Sequence, residues 1–218
     1  MQGIRIALMV LTLAMLAVGA SAQAQTKPAP KLTKEEWDPL LQALHKSDWS
    51  TASDLSSRYL ARFDRDTLEQ ASRLRYMYIL SSAGLVDIDS LSYDELEKRL
   101  TPLVGQRLTF PGHPIARTMP DHPIGQKTGQ PGFNQINVSE SSDHTAMIVA
   151  ANADGTTVLA FEYVELPEPL DISQHQGEVG RLSGVLDRFL LNPNRSTIWI
   201  VRLYLKDGDL AIINPPGR

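Results

Sequence analysis

The hydrophobic pattern changes period once, near Gly105, and this does most to limit what the chain can fold into. From about residue 33 to 104 the apolar residues recur at helical spacing. After Gly105 they fall in short runs and alternations separated by turn residues, the pattern of strands. Helices first and strands second, without regular alternation of the two, predict an α+β fold rather than a parallel α/β one.

In the first half, Trp37, Leu40, Leu41 and Leu44 form one helix stripe. Two starts are open for it: a capping box from Thr33 and Glu36, or Asp38 as cap with Pro39 in the first turn, the start that the proline favours. Trp49, Ala52, Leu55, Tyr59, Leu60 and Phe63 form a second stripe, ended by Asp64-Arg65-Asp66. A third carries Leu68, Ala71, Leu74, Tyr78 and Ile79 and is expected to stop at Gly84 as a C-terminal cap. A fourth opens with the Ser92/Glu95 pair and places Leu96, Leu100 and Leu103 on one side.

In the second half, strands are expected at 106–111, 144–151 and 156–166, with a weaker alternation over 133–139 and Asn152-Ala153-Asp154-Gly155 as a turn. Val179, Leu182, Val185, Leu186 and Phe189 sit at helical spacing and predict a helix over 172–191. Residues 197–205 make a strand apolar on both faces, hence central. Lys206-Asp207-Gly208-Asp209 then reads as a turn into a last strand over 210–214.

Two partial resemblances follow. Ser47-Asp48-Trp49-Ser50-Thr51-Ala52, with Tyr59-Leu60 and Asp64, resembles the second half of a tetratricopeptide repeat, Trp49 and Ala52 matching its aromatic and its packed alanine. Serine stands where that family has glycine, and Asp64 where it has proline. The resemblance covers about 33–84 and implies a helical hairpin. The order strand, strand, strand, helix, strand, strand after Gly105 is similar to that of an OB-fold, and it implies a small barrel whose face and loops hold an extended ligand. No residue motif supports it. The expected architecture is thus an antiparallel helical module (33–104) packed on a mostly antiparallel sheet or small OB-like barrel with one helix (105–218).

The first residues point to export. A basic start to Arg5 precedes an uncharged apolar run from Ile6 to Val18, then small residues; Ala20-Ser21-Ala22 and Ala22-Gln23-Ala24 both suit signal peptidase. Residues 1–24 are read as a signal peptide cleaved near Ala22 or Ala24, and 25–32 as a flexible leader. The predicted location is periplasmic or secreted, the alanine-rich cleavage region being of the bacterial kind. That leaves the sequons at Asn137 and Asn194 unused. With no cysteine in the chain, a core rather than disulfides must hold the fold. Losing the signal removes Arg5 and no acid, taking the formal charge from −4 to −5. An acidic chain argues against broad nucleic-acid binding. No second stretch is long and apolar enough to span a bilayer.

Catalytic motifs are missing: there is no glycine-flanked nucleophile elbow, phosphate loop or dinucleotide fingerprint. Residues 111–132 hold five prolines, four glycines and two copies of His-Pro-Ile, at His113 and His122. So long a loop is usually functional or disordered. His113, His122 and His144 are the candidate metal ligands, without any compact ligand spacing among them. Glu162 and Glu165 fall on opposite strand faces and read as outward charges. Tyr163 and Tyr204, with His113 and His122, are the candidate binding residues, the tyrosines wherever one sheet face presents aromatics. No cofactor is called for. The leading expectation is an exported, non-catalytic binding or interaction protein of the cell envelope, its partner another envelope protein or an extended ligand. The alternative is a hydrolase or metal-dependent enzyme using the His-Pro-Ile histidines.

Overall fold

The computed structural model describes residues 31–63, 69–115, 135–139, 142–152, 154–175, 177–194 and 199–213. The chain is α+β, with helices followed by a curled six-stranded mixed sheet. The helices are α1 (Lys34–His45), α2 (Trp49–Leu60), α3 (Glu69–Asp87) and α4 (Tyr93–Leu100). Strands β1 (Arg107–Pro114), β2 (Asn137–Ser139), β3 (Ser142–Ala151) and β4 (Val158–Glu165) come next. A one-turn helix α5 (Ile172–His175) then leads to β5 (Val179–Leu191) and β6 (Trp199–Ile213).

Local chemistry accounts for most helix ends. Helix α1 starts at Thr33, whose amide donates to the Glu36 carboxylate at 2.9 Å, so the capping box rather than Asp38 sets the start. Pro39 lies inside the helix, one turn later than that alternative requires. Asp48 caps α2 by accepting from the Thr51 amide at 3.2 Å, and Ser92 with Glu95 forms the expected box on α4. Helix α3 runs through Gly84 to Asp87, so Gly84 is no cap. A Cβ there would lie 2.2 Å from the Trp49 ring; the glycine lets α2 and α3 approach closely.

The sheet order is β1-β5-β6-β4-β3-β2, antiparallel except for the β4–β6 pair. As its two apolar faces imply, β6 is central. An isolated bridge between Ile115 and Ile136, just beyond the two edge strands, brings the edges together and curls the sheet.

Two sequence expectations fail in this half. The helix over 172–191 is one turn of helix and then a strand of 13 residues. Leu182 and Leu186 keep the plain alternation of a strand, and the register shift at Leu186/Arg188 turns Phe189 to the same side, so the three reach the core at spacings that imitate a helix. A Cβ on Gly180 would lie 2.7 Å from a terminal methyl of Leu210, which would have to shift to admit it. The helix in the OB-like order is thus reduced to that one turn. Nor do residues 206–209 make a turn, because β6 continues through them. The extra residue is absorbed at Asp207, with φ +50°, and at Gly208, where a Cβ would come within 2.3 Å of the Glu165 carbonyl.

Helix α3 joins the two halves. One side packs with Leu40, Ala52 and Tyr59 of α1 and α2. Its other side lies on the sheet, with Tyr76 edge-on to Phe110 at 4.8 Å. Ser72 shares a buried hydroxyl–hydroxyl hydrogen bond of 2.7 Å with Thr109, and Arg75 donates to the Arg107 carbonyl. Asn152, in the β3–β4 turn, donates to the Asp87 carboxylate at 2.9 Å and ties the end of α3 to the sheet.

Candidate binding face

Alternation along the central strands gives the sheet two different surfaces. Ile148, Ala160, Val164, Val201, Leu203 and Leu205 face α3 and fill the core. The opposite face carries a separate cluster of Met147, Val149 and Val158, against which Phe161, Tyr163 and Trp199 pack half-buried. Tyr204 is paired with Tyr163 across the parallel β4–β6 ladder, and Arg202 with Phe161. From β5, Arg188 lies opposite Tyr204 and Leu190 opposite Arg202.

These side chains form a continuous stack. Tyr163 and Tyr204 lie with ring centroids 5.1 Å apart and planes 12° from parallel, and Phe161 follows Tyr163 at 6.4 Å. The Arg188 guanidinium sits 3.8 Å from the Tyr204 centroid. Arg202 lies 4.5 Å from the Trp199 ring and 5.6 Å from that of Phe161. Guanidinium over an aromatic face is attractive because the ring's quadrupole is negative there. Burial raises the Tyr163 hydroxyl above its ordinary pKa, with Arg202 pulling the other way, so it stays protonated and can donate at neutral pH. Among the described residues no carboxylate pairs with Arg188 or Arg202, and the Arg202 Nε is buried without a hydrogen-bond partner.

Of the candidate binding residues, then, Tyr163 and Tyr204 are brought together. His113 is apart from them, buried in edge strand β1 opposite Gly180, and not in a loop. His122 lies outside the described residues, as does the proline-rich segment after Ile115. His144 is exposed on β3, its Nδ1 3.4 Å from the Leu166 carbonyl. No group of three His, Cys, Asp or Glu side chains among the described residues is close enough to hold a metal ion. The sequence reading passed over Phe161, Trp199, Arg202 and Arg188. Extending the alternation from Tyr163 to Phe161 and from Tyr204 to Arg202 finds two of them; Arg188 was hidden in the expected helix.

Glu162 is a correction: it is not an outward charge but 0% exposed, on the core face beneath Tyr76. Burial raises its carboxyl to about 8. The Tyr76 hydroxyl is near enough to offset a little of that, yet no hydrogen bond of ordinary geometry reaches either oxygen. A concavity of about 240 Å³ lies between α3 and β1, β5 and β6. Its cations are already engaged: Arg181 pairs with Glu69 at 2.9 Å and Arg107 donates to Ser183 Oγ at 2.9 Å. Comparison with protein-family models, curated proteins and solved structures finds no match for this chain.

Proposed function

We propose that this chain is an exported, non-catalytic interaction protein of the cell envelope, which binds another protein through the aromatic and arginine side chains on the outer face of its sheet. The observation that carries the proposal is the stack of Phe161, Tyr163 and Tyr204 with Arg188 and Arg202 on the face turned away from α3. Tyr, Trp and Arg are the residue types that dominate binding energy at protein interfaces. A rigid stack loses little conformational freedom when a partner arrives, because neighbouring rings already hold each side chain. Export rests on the signal-like first 24 residues, and no described helix is long and apolar enough to cross a membrane.

The test is co-isolation from the envelope fraction of cells that make the protein, with wild type compared with Tyr163→Ser/Tyr204→Ser. The proposal expects a discrete partner, identified by mass spectrometry, that rebinds as a purified protein to the wild type and not to the folded variant. A partner held equally well by both proteins would remove this face from the function.

A further inference from the structure

Resting on that proposal, we infer that the outer face takes an acidic protein segment, one that presents two carboxylates to Arg188 and Arg202. Three observations lead there. The rings already have stacking neighbours: Tyr204 has Tyr163 and the Arg188 guanidinium, Phe161 has Tyr163 and Arg202, and Trp199 has Arg202. A sugar ring or a nucleobase binds by stacking on an open ring face, so this arrangement is a poor platform for either. What remains on offer are tyrosine hydroxyls and the N–H edges of the two guanidinium groups.

Charge is the second observation. Neither arginine forms an ion pair among the described residues, Arg188 acting on the Asp187 carboxylate only as a nearby charge, and Arg202 Nε is buried and unsatisfied, although the whole chain is acidic. The neighbouring Lys206 is already engaged by Asp187 at 2.8 Å. A planar guanidinium held flat against a ring keeps its fork of donors oriented, which suits bidentate recognition of a carboxylate.

The third observation is spacing. Leu190 is paired with Arg202 and Arg188 with Tyr204, so the two arginines are diagonal neighbours across β5 and β6, roughly 7 Å apart at Cα. Acidic residues at alternate positions of an extended strand have about that separation. Leu190, 45% exposed beside Arg202, supplies the apolar contact that a peptide side chain can use and a polyanionic sugar cannot.

The experiment uses the mature full-length chain and three probes: a synthetic peptide of alternating Glu and Thr, its Gln-and-Thr counterpart, and a uronate oligosaccharide. Binding is followed by NMR at the arginine side-chain Nε–H groups and the β5 and β6 amides. The Glu peptide should shift Arg188 and Arg202 and bind about tenfold or more tightly than the Gln peptide, the ratio expected for charge-assisted hydrogen bonds. Arg188→Gln/Arg202→Gln should lose that advantage, and Arg73→Gln, a substitution on α3, should keep it. If the double variant unfolds, Arg202→Lys serves instead: it keeps the charge, loses the fork and should weaken binding. Equal binding of both peptides at this face would overturn the charge inference while leaving the face as an interaction surface. Preference for the uronate, or no shift with the Glu peptide at millimolar concentration, would overturn it as well.

Discussion

Replacing Glu162 by Gln should remove most of the pH dependence of this protein's stability between pH 5 and 9. The carboxyl sits on the core face of β4, between Ile148 of β3 and Leu203 of β6, with Tyr76 above it. Its charged form is therefore costly. Its folded pKa of about 8 lies above the unfolded value of 4.5, so the native state binds the extra proton. For a raised acid, stability is full below the unfolded pKa and falls as pH rises, until it levels off above the folded pKa. At about 1.4 kcal/mol per unit, the loss from pH 5 to 7 is about 2.5 kcal/mol, and over the whole window about 4–5 kcal/mol. Glu162→Gln cannot ionise. It should lie near or below wild type at pH 5, because a buried amide also wants partners, and above it by pH 8–9. Urea unfolding of both proteins at unit pH steps measures this, and subtracting the two profiles removes the histidine contributions. Parallel profiles would refute the burial of an isolated carboxyl.

Other predictions address the packing. Gly84→Ala should destabilise by about 1–3 kcal/mol through overpacking against Trp49, despite a helix-propensity gain of about 1 kcal/mol; an unchanged melting temperature would mean that α2 and α3 are not in close contact. Asn152→Ala removes the bond to Asp87 and the acceptor for the Thr157 amide at 3.1 Å, and should cost about 1.5–3 kcal/mol in chemical denaturation. Asp48→Ala should cost about 1 kcal/mol by removing the α2 cap, whereas Asp38→Ala, which caps nothing, should fall within about 0.5 kcal/mol of wild type.

The sequence showed the helical half well because its signals are local. Stripes at 3.6 spacing and a Ser/Glu box need no partner strand to be read. What escaped depended on contacts distant in sequence. Gly84 looks like a cap until Trp49 is seen to occupy its space. Residues 179–191 look helical because a bulge at Leu186/Arg188 displaces Phe189 to the side of Leu182 and Leu186, and bulges are set by the opposite strand rather than by composition. The candidate face was half legible. Tyr163 and Tyr204 could be singled out by type and alternation, but their stacking follows from the β4–β6 register, and Arg188 joins them only once β5 is known to be a strand. Glu162 was misjudged because nothing in its neighbourhood in the chain says which face of the strand is covered.

The proposal that the outer sheet face is the contact surface is tested most directly by a photo-crosslinking residue at Leu190, exposed beside Arg202, in cells making the protein. The same residue at Leu41, exposed on α1, is the control. A discrete adduct from position 190, absent from 41 and lost with Arg188→Gln/Arg202→Gln, is the predicted result. Adducts at 41 and none at 190 would contradict it.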